Sequence, residues 1–348
     1  MALRIEPLKS EQDDAHSDVA QYKILSYPAD FTLEGLFLKW EKGEVVIPPF
    51  QRRYVWSPSQ ASRLIESFLL GLPVPGIFLY KDKESENLLV IDGQQRLQSV
   101  ASFMKGRFAN TKKPFLLQKI RDPWDGKAFD ELSDKDQGQL KNSVLRATVI
   151  QQLDPRDDTS IFHIFERLNT GGTSLTQQEV RNCIYHGDFN ALLFKLNTNK
   201  DWRKIVGKPE VDIRMRDMEL ILRLFAIANN VKHYVKPMKD FLSAFMKENR
   251  NATKEKLDTF AQAFSNAVTL VIQCLGPKPF HLRQGVNVPT CEAVMAAFLN
   301  HAKAPADIKG RFQALIENGD FKTLTSDATT DTDIVKKRYK LADDTLFK

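Results

Sequence analysis

Val90-Ile91-Asp92-Gly93-Gln94-Gln95-Arg96-Leu97 ends an apolar run, residues 88–91, on an Asp-Gly step and opens a polar segment. Leu97, Val100, Ala101 and Met104 then recur at helical spacing. The stretch reads as strand, tight turn, helix, with Gly93 admitting backbone conformations that other residues resist. The first N–H groups of such a helix lack partners within it and favour an anion. An acid, two amides and an arginine, Asp92 to Arg96, surround that helix start. The plainer alternative is a strand-to-helix turn whose polar residues face water.

Upstream, Val45-Val46-Ile47 reads as a short strand, and Pro48-Pro49 forces an extended path beyond it. That path carries Phe50-Gln51-Arg52-Arg53-Tyr54-Val55-Trp56, two arginines set between aromatics. Ser57-Pro58 is a cap followed by a first-turn proline, and Ala61, Leu64, Ile65, Phe68 and Leu69 give the following helix one apolar face. Gly71-Leu72-Pro73-Val74-Pro75-Gly76 is a rigid connector into a strand over residues 77–80. The charged turn at residues 82–87 makes that strand and residues 88–91 a hairpin. Further back, residues 1–29 read as a loose lead-in and residues 30–43 as a first helix, with Leu33, Leu36, Phe37 and Trp40 on one face.

Downstream, residues 105–147 mix lysines, prolines and Trp124 without a clear period and read as an insertion or lid. A strand over residues 147–151 and a helix over residues 160–168 lead to Asn169-Thr170-Gly171-Gly172-Thr173-Ser174-Leu175. A new helix then starts, capped by Ser174 or Thr176, with Glu179 in its first turn. Beyond it strand signal is lost, and helical patterns recur at residues 188–196, 212–229, 237–249, 254–274, 289–302, 306–317 and 331–342. The expectation is an α+β chain: a lead-in at residues 1–29, a mixed α/β domain at 30–175 and an all-helical domain at 176–348.

Composition narrows the setting. Hydrophobic content of 42% and charged content of 27% are those of a soluble globular protein. No apolar run is long enough to span a membrane. The N-terminus mixes charges and lacks the apolar core of a signal peptide. Three widely spaced cysteines, Cys183, Cys274 and Cys291, suit neither a disulfide framework nor a zinc site, which points to a reducing cytoplasm. The formal charge of +6 mildly favours an anionic partner.

Three polar clusters carry candidate chemistry: Gln51-Arg52-Arg53, Asp92 with Gln94, Gln95 and Arg96, and Asn169-Thr170-Gly171-Gly172. Arginine grips phosphate with two parallel hydrogen bonds. A Gly-Gly loop lets backbone N–H groups approach an anion. An acid beside phosphates serves as a Mg²⁺ ligand. Together they fit a nucleotide-phosphate pocket, and the absence of G-x-x-x-x-G-K-[ST] excludes a P-loop. The six histidines show no H-x-x-x-H pattern, and His163 fits a packed helix position better than a catalytic one. Asp217 and Glu219 read as pairs on a helix surface rather than as active-site acids. Lys336-Lys337-Arg338-Lys340 reads as a solvated helix face rather than a nucleic-acid contact.

Taken together the motifs are recognisable. Ile47-Pro48-Pro49-Phe50-Gln51-Arg52-Arg53-Tyr54-Val55-Trp56 resembles the I-P-x-[FY]-Q-R-x-Y-x-W signature of a large bacterial and phage family. Asp92-Gly93-Gln94-Gln95-Arg96-Leu97 matches its D-G-Q-Q-R-L motif, and Phe165-Glu166-Arg167-Leu168-Asn169-Thr170-Gly171-Gly172 looks like its F-x-x-[IL]-N-x-x-G segment. The order agrees over at least residues 30–190. The family includes the N-terminal part of GmrSD-type modification-dependent restriction enzymes and of the phosphorothioate-sensing protein SspE.

The resemblance implies a ParB/sulfiredoxin-like N-terminal domain followed by an all-helical one. It also implies hydrolysis of a nucleoside triphosphate, with Mg²⁺, as a sensor or switch in defence against foreign DNA. By position, Asp92, Gln95 and Arg96 are the expected catalytic residues. Gln51, Arg52, Gly93, Gln94 and Asn169 are the expected nucleotide-binding residues, with Asp92 also the expected Mg²⁺ ligand. Nucleotide, DNA and an effector protein or second copy are the expected partners, and no membrane is. Long members add an HNH nuclease with an E-H-I-x-P tract; Pro279-Phe280-His281-Leu282 lacks its acid and proline, so a stand-alone unit is expected. The alternatives are a ParB-like DNA- or nucleotide-binding module without turnover, and a DNA-nicking enzyme.

Overall fold

A computed structural model describes residues 24–47, 54–82, 85–108, 111, 113–153, 176–282 and 285–348. The chain divides into two units, one holding described residues 24–153 and the other described residues 176–348.

In the first unit the elements run β1 (Ile24–Thr32), α1 (Leu33–Glu41), β2 (Val45–Val46), α2 (Pro58–Leu69), β3 (Ile77–Lys81), β4 (Leu88–Asp92), α3 (Gln94–Met104), α4 (Asp134–Asn142) and β5 (Val144–Gln152). The sheet has order β1-β5-β3-β4-β2. β1 and β5 are antiparallel, β5 and β3 parallel, β3 and β4 antiparallel, β4 and β2 parallel. Alternation along β5 buries Leu145, Ala147 and Val149. The register sets Phe31, Ala29 and Tyr27 opposite them on β1, and Ile77 and Leu79 opposite Ala147 and Val149 on β3. This row forms one core with Leu33 and Leu36 of α1, Ile65 and Phe68 of α2, and Leu97, Val100 and Phe103 of α3. Each fully buried large side chain contributes about 1.5–3 kcal/mol relative to an exposed one.

Two expectations need correction here. The expected lead-in ends in a nine-residue strand, β1. Pro28 hides that strand in the sequence, and it is tolerated because β1 lies at the sheet edge. The first helix accordingly starts at Leu33, capped by Thr32, whose hydroxyl accepts the Gly35 N–H at 3.1 Å. Residues 105–147 are not a lid. Phe115, Leu117, Leu132 and Leu140 are buried in the core, and Phe108, Trp124 and Phe129 pack against it. All but Leu140, the single buried residue of α4, lie outside the α-helices and strands, so no period reveals them.

The second unit is helical throughout its described residues: α5 (Gln177–Ile184), α6 (Asp188–Asn197), α7 (Lys200–Val206), α8 (Arg216–Asn230), α9 (Met238–Asn249), α10 (Lys254–Leu275), α11 (Val288–Asn300), α12 (Ile308–Glu317), α13 (Gly319–Leu324) and α14 (Thr332–Phe347). The α+β class with a helical C-terminal region stands as read. Thr176 caps α5 in a reciprocal box with Glu179. α7 and α13, at seven and six residues, are too short to show a helical period in the sequence, and α4 buries only Leu140 and so carries no apolar face.

Asp217 and Glu219 do not lie on a helix surface; both are buried. Asp217 accepts from Arg203 at 2.6 Å, Asp212 N–H at 2.9 Å and Asn197 at 3.0 Å. Glu219 lies 3.3 Å from both Arg181 and Arg223. Arg223 also meets Glu292 at 3.3 Å, and Glu292 meets Arg338 at 2.5 Å. Arg338 is therefore a core residue within the basic run of α14 and not part of a solvated face.

Candidate functional site

The D-G-Q-Q-R stretch forms the junction of β4 and α3. The β3–β4 pairing places Leu79 opposite Val90 but Phe78 opposite Asp92, one extra residue on β4 at Ile91. Such a bulge turns the side chains that follow it. Gly93 then takes φ +93° and ψ 11°, a left-handed conformation, as the residue preceding α3. No side chain caps the helix start. A Cβ at Gly93 would come within 2.2 Å of Ile77 Cγ2, so glycine is required by both conformation and space.

Arg96, in the first turn of α3, folds back across this junction. One of its terminal nitrogens donates to Asp92 Oδ2 at 2.7 Å and to the Gly76 carbonyl at 2.9 Å. The side chains are 19% and 42% exposed for Arg96 and Asp92, so the pair opens to solvent on the carboxylate side. The Arg96 Nε is buried without a hydrogen-bond partner. A guanidinium N–H in that state costs free energy until an acceptor reaches it.

Gln95 points elsewhere. Its side-chain oxygen accepts the backbone N–H groups of Val55 and Trp56 at 3.0 and 3.1 Å. One turn on, the Ser99 hydroxyl donates to the Gln95 carbonyl at 2.7 Å and sits 2.7 Å from the Tyr54 hydroxyl. Ser99 has a single proton and spends it on Gln95, so the Tyr54 phenol donates to Ser99. The described end of the upstream signature is thus fastened to the D-G-Q-Q-R helix. Burial pushes the Tyr54 phenol up. Tyr54 also packs edge-on against Phe108, with centroids 5.5 Å apart.

The structure brings Asp92, Gly93, Gln94, Gln95 and Arg96 together at one turn. Gln51, Arg52, Asn169 and the Cys183 side chain lie outside the described residues, as does His163. The side-chain oxygen of Gln95, one of the expected catalytic residues, is engaged with backbone N–H groups. Sequence reasoning missed Gly76, Ser99 and the role of Tyr54. Ser99 lies four residues after Gln95, on the same helix face, which is the signal that could have raised it. Among the described residues no group of three or more His, Cys, Asp or Glu could hold a metal ion, and no helix is long and apolar enough to cross a membrane.

No curated protein matches the chain. Residues 33–186 match the family model described as GmrSD restriction endonuclease, N-terminal domain; this segment, which contains the D-G-Q-Q-R junction, is similar to that domain and bears out the resemblance carried by the motifs.

Proposed function

We propose that the chain is a nucleotide-binding switch in restriction-related defence against foreign DNA, with its phosphate site at the β4–α3 junction. One observation carries this reading: the start of α3 lacks a side-chain cap and lies beside Arg96, whose buried Nε has no acceptor. Uncapped helix N–H groups and a guanidinium together favour a phosphate. The likeness of residues 33–186 to a restriction endonuclease domain supplies the defence setting.

Hydrolysis of the terminal phosphoanhydride belongs to the same reading. Phosphoryl transfer asks the protein mainly for positioning and charge stabilisation, and Arg96 with the helix start offers both. The donor set fits Mg²⁺ only as an ion carried in with phosphates, since Asp92 is the one carboxylate within the D-G-Q-Q-R stretch and one of its oxygens already serves Arg96. Asp92 would then hold the metal through its remaining oxygen, and the metal would neutralise phosphate charge.

A second reading has its own support. The bonds from Arg96 to Asp92 and Gly76, and from Gln95 to the backbone, are those of a rigid scaffold. On that reading the junction binds nucleotide without turnover. Titration of the full chain with a nucleoside triphosphate, beside a phosphate-release assay, separates the two. Binding with release supports the switch that hydrolyses; binding without release supports the module. No binding in wild type, or equal binding by Arg96→Ala, overturns the site.

A further inference from the structure

Met215, the residue before α8, takes φ +57° and ψ 22°, a left-handed conformation that residues with a Cβ rarely adopt. Such a conformation persists where neighbouring contacts over-determine it. Here they lie on both sides. The Met215 N–H meets the Asp212 carbonyl at 2.9 Å, and the Met215 carbonyl accepts the Glu219 N–H at 2.9 Å. The Arg214 N–H is held by Asp212 Oδ1 at 2.8 Å, and the Arg214 carbonyl accepts the Thr176 hydroxyl at 3.0 Å. Arg214 Nε lies 3.4 Å from Glu179 Oε2. Residues 212–216 are thus a strap that ties the start of α8 to the start of α5.

The Met215 side chain makes the next tie. Its sulphur lies 2.9 Å from Nδ2 of Asn182, a fully buried residue of α5. The same nitrogen is 3.7 Å from Met218 Sδ, and the Asn182 amide oxygen accepts from Gln178 Nε2 at 2.9 Å. Gln178 Nε2 is in turn 3.7 Å from Met246 Sδ, and Gln178 Oε1 accepts from Arg181 at 3.2 Å. A thioether is a weak acceptor. Two buried amides, one helical turn apart on α5, therefore direct N–H groups at three sulphurs. Exposure separates the methionines. Met218, Met246 and Met295 are 0% exposed and Met238 is 1%. Met215 and Met104 are half-buried, and Met104 packs against the apolar core of the first unit. Among the described residues, Met215 is the half-buried methionine whose sulphur contacts a buried amide.

We propose that Met215 is a reversible oxidation site, at which a hydroperoxide converts the thioether to a sulfoxide and unties α5 from the strap. A sulphur lone pair attacks one peroxide oxygen. The S–O bond forms as the O–O bond breaks, and the departing oxygen leaves as alcohol, or as water from hydrogen peroxide, with the proton that the transferred oxygen carried. Sulphur gives up two electrons and the peroxide takes them. The product is larger by one oxygen and strongly polar. At 2.9 Å no oxygen fits between the sulphur and Asn182 Nδ2, so one of the two must move, and Met215 is the half-buried partner. Asn182 then keeps only the 3.7 Å contact to Met218 for its N–H groups, a cost that a buried donor cannot shift to water. The left-handed backbone at Met215 loses a contact that holds it. Two thiols reverse the step, returning the thioether with a disulfide and water. The inference does not rest on the nucleotide site.

The test treats the full chain with hydrogen peroxide below its melting temperature and follows each methionine by peptide mass. Met215 is expected to gain an oxygen about tenfold faster than Met218, Met238, Met246 and Met295. Amide exchange over α5 is expected to rise in step with Met215 oxidation. It should fall back when methionine sulfoxide reductases of both epimer specificities are added with a dithiol, and not with the dithiol alone. Met215→Leu, which keeps the bulk without the thioether, is expected to make exchange over α5 insensitive to peroxide. Met104→Leu is expected to respond as wild type does, and it keeps the test decisive if Met215→Leu does not fold. Oxidation of Met215 no faster than that of the buried methionines, or unchanged α5 exchange at complete Met215 oxidation, would overturn the proposal. So would loss of the response in Met104→Leu, or recovery with the dithiol alone, which would assign the response to a cysteine.

Discussion

Gln95 holds Trp56 across 39 residues of chain: its side-chain oxygen takes the Trp56 N–H at 3.1 Å, beside the Val55 N–H at 3.0 Å. The two motifs that carry the resemblance are therefore one physical object where they are described. Gln95 thereby fixes where the neighbouring motif ends. Gln95→Ala leaves the two N–H groups without their acceptor, and the expected cost is about 1–2 kcal/mol in urea unfolding. Amide exchange should report it locally, with Trp56 losing protection while the β5 amides keep theirs. Unchanged protection at Trp56 would show that the bond does not persist in solution.

Gly93→Ala should be harsher. The left-handed backbone alone costs about 1–3 kcal/mol for a residue with a Cβ, and the new methyl would meet Ile77 at 2.2 Å. Either β4 or the start of α3 must move. A variant as stable as wild type, measured by denaturant midpoint, would contradict the geometry at this turn.

Tyr54 predicts an alkaline signature. Burial pushes its phenol above the ordinary value of 10.0. The unfolded chain therefore loses the proton first, and the folded protein is penalised as pH rises. The stability due to the neutral phenol is whole below about pH 10 and is lost as pH climbs through the folded value. Wild type should lose melting temperature above pH 10 faster than Tyr54→Phe, which has no proton to release. Parallel curves for the two proteins would mean that Tyr54 is solvated.

How much of this was legible depended on whether a residue acts through its neighbours in sequence. Ser57 and Thr176 cap helices through contacts three residues away, so the sequence shows them directly. The strand–Gly93–helix junction is local in the same sense. β1 is not: its register comes from β5, 116 residues away at the Asp30–Arg146 pair, and Pro28 disguises it. The bulge at Ile91 depends on β3, and the engagement of Gln95 depends on a loop 39 residues upstream. Composition patterns fail likewise for Arg338, whose basic neighbours suggest solvent while Glu292 holds it in the core.

Glu292 should be the least replaceable residue of the helical unit. It lies between Arg223 at 3.3 Å and Arg338 at 2.5 Å and is itself buried. Glu292→Leu keeps the volume but leaves two buried guanidinium groups without their shared anion. Breaking one partner of a buried ion pair costs about 3–5 kcal/mol. The double change Glu292→Leu/Arg338→Met should recover part of that loss, since Arg223 keeps Glu219 as its partner. Single-variant stability within 1 kcal/mol of wild type, by the scale of an exposed pair, would mean that water reaches the network.

The Asp92–Arg96 pair offers the sharpest division between scaffold and site. If the 2.7 Å contact serves only to hold the turn, Arg96→Ala, Asp92→Ala and the double variant form a closed cycle in stability. Asp92 is 42% exposed, so the coupling should be small, about 0.2–1 kcal/mol. The Gly76 bond is lost with Arg96 in either case, adding about 1 kcal/mol to that arm alone. The nucleotide site makes a further demand that stability cannot meet. Phosphate release per folded molecule should fall by about 10³-fold or more in Arg96→Ala, and Arg96→Lys should restore the charge without the planar fork. Lysine is therefore expected to recover nucleotide affinity better than turnover. Asp92→Asn should leave the turn intact, because the amide oxygen still accepts from Arg96, while removing the charge that a phosphate-borne Mg²⁺ needs. Normal release by Asp92→Asn and Arg96→Ala, per folded molecule, would reduce the junction to a turn.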